Sequence, residues 1–427
     1  MTIFDTAAVL LALSALFGWL NHRFFRLPHT IGLVIIAFAA SLGVIAIDLA
    51  WPGVGIGDTV RGLLEGIDFH ATLMHGMLSV MLFAGALHVD LSQLADRKWA
   101  ITALASVGVL LSTFIVAGLL WLAAAALGLE LPFIWALVFG ALISPTDPVA
   151  VLGILKTVEV PESLEAKIAG EPLFNDGIGV VVFTIIVAIA VGGGPDGPIG
   201  PLDVAELFLV EAVGGAVLGI AAGYATYRAL HAIDDYALEV LITLALVVGG
   251  YALAIALHLS GPIAVVVAGL FIGNRGVRYA MSGTTRDYVL KFWTLADEIL
   301  NSVLFLLIGL EVIVVASVAS TASGAASGAA PWIAGALAIP IVLAARLISV
   351  GLPMKLLSVR RAYTEGAVPV LVWGGLRGGI AVALALSLPA VPVKPLILDV
   401  TYCVVLFSIV VQGLTIKPVI GRFVSED

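Results

Sequence analysis

Three polar stretches interrupt the apolar runs of this chain, and they are the places where chemistry is expected. They are SPTDP (144–148), GEPLFNDG (170–177) and GGLRGG (374–379). Inside a hydrocarbon layer an ionisable side chain costs roughly a few kcal/mol, so it needs a partner or a function. No HExxH, CxxC or Walker-type segment is present. The sequence therefore predicts no metalloenzyme or nucleotide chemistry, no cofactor and no enzymatic reaction.

The first stretch combines two prolines, three residues apart, with the side-chain oxygens of Thr146 and Asp147. Each proline removes a backbone donor and kinks or unwinds a helix, which frees carbonyl oxygens. A cluster of oxygens of this kind suits a hard monovalent cation. Alternatively, Asp147 caps the half-helix that follows it, and the two roles are compatible.

The second stretch places three polar side chains before a fully apolar run. Glu171 and Asn175 are four residues apart and share a helix face, whereas Glu171 and Asp176 diverge by about 140°. One carboxylate can therefore face a substrate while the other faces a partner. The alternative is that this stretch is a loop and that the helix begins at Gly177.

The third stretch places Arg377 among glycines in the middle of an apolar run. A guanidinium that is always charged needs a counter-charge there, and Glu171 is the expected partner. The alternative is that Arg377 only stabilises packing. Asp297, Glu298 and Asn301 lie near the start of a later span, and the spacing of Glu298 and Asn301 puts these two on one helix face. They would either line an inner funnel or lie in solvent at the start of the helix.

The composition of the chain predicts that these stretches lie in a membrane environment. Of the 427 residues, 61% are hydrophobic and 11% are charged, against about 25% charged in a soluble domain. The low charge density and the net charge of −9 provide no basic face for nucleic acid. Since about 20 residues cross the hydrocarbon layer, we expect an all-α polytopic membrane protein with about thirteen transmembrane helices. The predicted spans are 4–22, 29–49, 70–90, 99–127, 132–155, 168–192, 203–227, 237–257, 260–274, 292–317, 331–354, 365–390 and 398–416.

The distribution of basic residues predicts the orientation. With the N-terminus outside and the C-terminus cytoplasmic, sixteen of the twenty Lys and Arg residues fall in cytoplasmic segments, as the positive-inside rule requires. Spans 1–6 and 8–13 then form two inverted six-helix repeats. The fifth span of each repeat, span 5 or span 12, carries a helix-disrupting stretch, which is typical of secondary transporters.

The ordered set of motifs resembles the cation:proton antiporter family. TDP in an interrupted helix, an E-x-x-x-N-D helix after it and a late GGLRGG cover almost the whole chain. The Asn-Asp pair resembles the electroneutral, NhaP-type sodium/proton branch, which also contains the animal sodium/proton exchangers. The resemblance implies a homodimer in which interrupted helices 5 and 12 cross. It also implies a dimer-interface part at 1–98, a core transport part at 99–192, connector and interface helices at 193–317 and a second core part at 331–420.

The resemblance also implies roles for the site residues. Asp176 would bind the cation and the proton, Thr146 would contribute oxygen, and Asn175 and Asp147 would support the site. Glu171 would pair with Arg377 and is placed to touch the cation as well. The family usually has Ser where this chain has Pro172, so this chain lacks one hydroxyl that the resemblance would otherwise imply as a ligand.

The expected activity is an electroneutral exchange of one Na+, or Li+, for one H+, with monovalent cations, protons and the lipid bilayer as partners. The resemblance implies a bacterial inner membrane. An alternative is a K+/H+ antiporter of the same fold. A less favoured alternative is an ion channel, since no repeated selectivity filter is seen.

Overall fold

The computed structural model describes residues 3–51, 60, 62, 69–147, 162–192, 201–313, 330–358 and 366–423. Throughout these residues the regular structure is helical, and the sole β-type pairing among them is one isolated bridge. The helices are α1 (3–25), α2 (His29–Ala50), α3 (Phe69–Leu87), α4 (91–126), α5 (Phe133–Ile143), α6 (Glu162–Val191), α7 (Pro201–Leu230), α8 (Tyr236–Ala256), α9 (261–279), α10 (Gly283–Leu310), α11 (Ala330–Ser358), α12 (Ala367–Trp373 and Gly379–Leu386) and α13 (Lys394–Phe423).

Each of the thirteen predicted spans corresponds to one of these helices. Ten of the helices in the described ranges are long and apolar enough to cross a membrane, and α5 is a shorter apolar helix. The outward surface is apolar as well: on α7, the exposed fraction is 58% for Leu209 and 60% for Val217. Large apolar side chains exposed on an outer surface are typical of membrane-spanning helices. The chain is an integral membrane protein.

Helix α10 begins earlier than predicted. It starts at Gly283, where the hydroxyl of Ser282 accepts a hydrogen bond from the amide of Thr285 (3.4 Å) as an N-cap. Asp297 and Glu298 therefore lie several turns inside the helix, and the prediction that they open it is wrong. The first turns of α10 are polar, so hydropathy alone predicts a later start for this span.

Helix α6 passes without interruption through the second polar stretch. It runs from Glu162 to Val191 with Pro172 inside it, so the alternative of a loop before Gly177 is wrong. Asn175 is fully buried, and Asp176 is 6% exposed. The acids of this stretch are thus set into the protein interior by a continuous helix.

Several pairs of helices pack closely against each other. Helix α2 lies against α10, α3 against α9, and α9 against α7. Helix α5 lies against α4 and α6, α11 lies against α4 and α13, and α6 also contacts α7 and α9. Close approach depends on glycine: a Cβ atom on Gly140 of α5 would lie under 3.0 Å from the backbone oxygen of Thr113 in α4. The division into a core and an interface domain stays a prediction.

Candidate functional site

Two non-helical stretches, 144–147 after α5 and 374–378 within α12, lie side by side and are called the two breaks here. Helix α5 ends at Ile143, and α12 is broken between Trp373 and Gly379. The amide of Asp147 donates to the carbonyl oxygen of Leu376 (2.8 Å) in an antiparallel bridge. The chain therefore runs in opposite directions through the two breaks, as inverted repeats require. The predicted all-α membrane fold is confirmed, and α12 is interrupted as predicted. The predicted continuation of helix 5 beyond Asp147 lies outside the described residues.

Arg377 stabilises the break in α5. Its Nη1 atom donates to the backbone oxygens of Ser144 (2.5 Å) and Pro145 (2.7 Å). Its own amide donates to the hydroxyl of Ser408 on α13 (2.8 Å). Carbonyl oxygens freed by an unwound helix need donors when they are buried. The guanidinium, which is 2% exposed, supplies them.

The predicted ion pair between Glu171 and Arg377 is wrong. Glu171 pairs instead with Arg346 of α11: Nη1 donates to Oε1, and Nη2 donates to Oε2 at 2.9 Å. The Nη2 atom also donates to the backbone oxygen of Leu371 (3.2 Å). Such a two-pronged contact is the strongest geometry for an arginine and a carboxylate.

Packing explains why Glu171 pairs with Arg346 and not with Arg377. Arg377 is held by the α5 carbonyls described above, which lie at the other break. Gly375 leaves the space through which Arg346 reaches α6, since a Cβ atom there would lie 2.5 Å from Arg346 Nε. Arg346 lies within predicted span 331–354 and was assigned no role from the sequence. The signal was available, because a lone arginine in an apolar run also requires a carboxylate.

Asn175 fixes the conformation of the unwound stretch. Its Nδ2 atom donates to Thr146 Oγ1 (2.8 Å), and its Oδ1 accepts from the Thr146 amide (3.3 Å). Both residues are buried, with Thr146 1% exposed. One amide side chain thus satisfies two polar groups of the break and sets the position of the threonine oxygen.

Asp147 lies at the start of the second half of α12. A Cβ atom at Gly378 would lie under 3.0 Å from Asp147 Oδ2, so the carboxylate rests against the glycine that precedes this half-helix. A helix N-terminus carries partial positive charge, which stabilises a nearby carboxylate. The segment after Asp147, which it was alternatively expected to cap, lies outside the described residues.

Asp176 follows Asn175 and lies next to both breaks. Within the described ranges no hydrogen bond reaches its carboxylate, although the residue is only 6% exposed. The charged groups that act on it are Asp147 and Arg377. A buried carboxylate without a hydrogen-bond donor requires a proton or a cation.

The other predicted residues divide clearly. Thr146, Asn175, Asp176, Asp147 and Arg377 come together around the two breaks, with the pair of Glu171 and Arg346 beside them. Glu298 does not join this cluster: its side chain is exposed on α10. The described residues contain no group of three or more His, Cys, Asp or Glu arranged to hold a metal ion.

A buried carboxylate beside two oppositely directed breaks is typical of polytopic membrane transporters of the inverted-repeat class. Comparison with known proteins gives the family. The model described as "Sodium/hydrogen exchanger, transmembrane" matches residues 9–421, and the chain belongs to this family.

Individual relatives agree with this assignment. The chain is 48% identical to the Na(+)/H(+) antiporter NhaP of Pseudomonas aeruginosa, over 98% of this chain and 96% of that protein. It is 35% identical to the Na(+)/H(+) antiporter NhaH of Halobacillus dabanensis, over 92% of each. The fold is similar to the structure of a sodium proton antiporter from Methanocaldococcus jannaschii, with a TM-score of 0.75, 19% identity and complete coverage of both chains.

Proposed function

We propose that this protein is a secondary antiporter that exchanges Na+ for H+ across the membrane, using Asp176 as the common binding site. The observation that carries the proposal is the buried Asp176 carboxylate, which lies beside the two breaks and receives no hydrogen bond from the described residues. The names of the relatives, which are Na(+)/H(+) antiporters, support the same activity. The protein acts as a transporter and not as an enzyme.

Competition at one carboxylate provides the coupling. Burial disfavours the bare charge of Asp176, so the site is occupied either by a proton or by a cation. The cation is held by Asp176 with the Thr146 hydroxyl oxygen, which Asn175 positions, and with Asp147 nearby. Glu171 is engaged by both Nη atoms of Arg346, which argues against a direct role for Glu171 as a ligand.

The charges of the site favour electroneutral exchange. Glu171 and Arg346 neutralise each other, and Asn175 carries no titrating group. Asp176 is then the carboxylate that alternates between H+ and Na+, so one ion replaces the other and no net charge moves. An empty, ionised site is costly to carry through an apolar barrier, which prevents a leak.

Movement of one domain against the other would expose Asp176 to either side. We infer that α4–α6 and α11–α13 form the moving core and that α1–α3 and α7–α10 form the interface domain of a homodimer. The N-terminus lies outside and the C-terminus in the cytoplasm, because this orientation places sixteen basic residues inside. The bacterial relatives favour a bacterial inner membrane.

Proteoliposomes containing an internal pH dye test the proposal. Addition of Na+ is expected to drive proton efflux in the wild type, unchanged when valinomycin and K+ clamp the potential. Asp176→Asn is expected to abolish it. Glu206→Gln, the same chemical change at an exposed position on α7, serves as the control and is expected to retain it.

The possible results separate the candidate functions. A response to K+ in place of Na+ would identify a K+/H+ antiporter of the same fold. Proton flux that follows the membrane potential without a cation gradient would indicate a channel. Exchange by Asp176→Asn at the wild-type rate would contradict the assignment of Asp176.

A further inference from the structure

Asn301 is a buried polar residue that the proposed mechanism leaves unused. It lies within α10, is 2% exposed, and its Oδ1 atom has no hydrogen-bond partner among the described residues. Leaving such an acceptor unpaired costs about 1–3 kcal/mol. An amide that only filled space could be replaced by an apolar side chain, so the free oxygen points to a ligand.

The neighbours of α10 show which way Asn301 points. Leu304 packs on the break-proximal end of α12, since a Cβ atom at Gly379 would lie under 3.0 Å from the Leu304 side chain. Two turns before Asn301, the Thr294 hydroxyl contacts Nε2 of His88, the residue that follows α3 (3.1 Å). Residues three or seven positions apart lie on neighbouring lines of a helix. Asn301 therefore points between α3 and the second half of α12.

The same contacts give the depth of Asn301. Because consecutive helices cross the membrane in alternate directions, α3 runs antiparallel to α6 and α10. At 1.5 Å per residue, Asn301 lies about 10 Å beyond the contact between α3 and α10. Gly85 lies about 4.5 Å beyond the same contact and faces the Leu173 side chain of α6. Asp176 follows Leu173 by three residues along α6, which adds about 4.5 Å. Asp176 therefore lies within about 2 Å of the depth of Asn301.

Two oxygen-bearing groups that have no hydrogen-bond partner among the described residues thus lie at one level, on opposite sides of the boundary between the two predicted domains. We propose that Asn301 Oδ1 is a ligand of the transported cation, contributed by α10 to the site that Asp176 and Thr146 form on the other side. This inference rests on the proposed function. Hard cations prefer oxygen ligands such as amide and carboxylate oxygens.

A cation ligand on α10 would make the affinity for Na+ depend on the position of the core domain, whereas a ligand on α6 would not. If the core domain moves and α10 does not, the cation keeps Asp176 and Thr146 but loses Asn301. The site then binds Na+ more tightly in the arrangement seen here than after the movement. Asn301 would therefore set the affinity on one side of the membrane and assist release on the other.

The experiment compares Asn301→Ala with Ser302→Ala in the proteoliposome assay. Ser302 is the adjacent residue, but its hydroxyl faces His29 of α2 (2.8 Å). Asn301→Ala is expected to raise the apparent KM for Na+ about three- to tenfold with the maximal rate largely retained, since about one neutral ligand contact is lost. Ser302→Ala is expected to leave KM unchanged.

A second variant distinguishes a ligand from a packing residue. Asn301→Asp keeps an oxygen in place, so its KM for Na+ is expected to stay equal to that of the wild type or fall. If both Asn301 variants raise KM alike, or if Asn301→Ala leaves it unchanged, the proposal is overturned. Where Asn301→Ala does not fold, Asn301→Asp alone decides: a KM for Na+ equal to or below that of the wild type supports the proposal, and a raised KM overturns it.

The outcome is separable from that of the proposed function. If the wild type itself exchanges no Na+ for H+, the proposed function fails. If the wild type and Asp176→Asn behave as expected but Asn301 proves neutral, only the α10 ligand is refuted. The Na+-induced rise in the thermal unfolding midpoint of purified protein gives a binding readout independent of turnover, and Asn301→Ala is expected to need about three- to tenfold more Na+ for it.

Discussion

Replacing Arg346 by methionine tests the ion pair that the sequence did not predict. Methionine has a similar length and no charge, so Arg346→Met removes both hydrogen bonds to Glu171 with little change in volume. Glu171 is 1% exposed and would be left as an unpaired buried carboxylate. We expect a strong loss of stability that a second substitution at Glu171 repairs.

The magnitude follows from the burial of both partners. Removing one member of a buried pair costs about 3–5 kcal/mol, because the remaining charge is uncompensated. Replacing both members by neutral groups costs much less. The double variant, Arg346→Met with Glu171→Gln, is therefore expected to show a coupling energy of about 2–3 kcal/mol. The lost hydrogen bond to the Leu371 carbonyl oxygen remains unrepaired in both cases.

The assay is reversible unfolding of the purified protein in mixed detergent micelles, with the free energy of unfolding measured for each variant. A parallel cycle uses Glu171→Gln with Arg377→Met, whose guanidinium donates to Ser144 and Pro145 instead. That second cycle is expected to give a smaller coupling energy than the first. The reasoning fails if the Arg346 double variant is as unstable as the sum of its single variants, or if the coupling appears with Arg377.

Two further predictions concern the unwound stretch. Gly378→Ala places a Cβ atom under 3.0 Å from Asp147 Oδ2, so we expect transport to fall at least tenfold, measured as Na+-driven proton efflux. Gly351→Ala, where nothing lies within 4 Å of the added atom, should transport at the wild-type rate, and equal losses in both would contradict the steric argument. Asn175→Ala leaves the buried Thr146 amide without its acceptor and is expected to lower the free energy of unfolding by about 1–3 kcal/mol. It should also raise KM for Na+, and a normal KM would show that the Thr146 oxygen does not need this support.

Much of the fold followed from local chemistry. The thirteen spans were predicted by length and hydropathy, and both breaks were predicted by residues that cannot continue a helix, proline in SPTDP and glycine in GGLRGG. The start of α10 was not predicted, because its first turns at 283–291 are polar. Hydropathy marks the membrane boundary, whereas the helix begins after its N-cap residue, Ser282.

The sequence predicted which polar residues lie near one another, but not how the charged ones pair. Helical spacing correctly put Glu171 and Asn175 on one face of α6, but a face does not specify a partner. Glu171 had two buried arginines within reach, and the sequence could not show that Arg377 would bind carbonyl oxygens while Arg346 passed over Gly375. The free amide oxygen of Asn301 likewise depends on the packing of α10, although its spacing from Glu298 had already indicated a polar face.

The contact of Asp147 with Gly378 also bears on how the two halves of the chain can change over evolutionary time. The bond from the Asp147 amide to the Leu376 carbonyl uses backbone atoms alone and tolerates many side chains. The carboxylate, by contrast, fits only because position 378 lacks a Cβ atom. Substitutions in the two breaks are therefore not independent. A larger residue at 378 becomes acceptable only with a shorter side chain at 147, so a pairwise mutational scan should record strong epistasis between positions more than 200 residues apart.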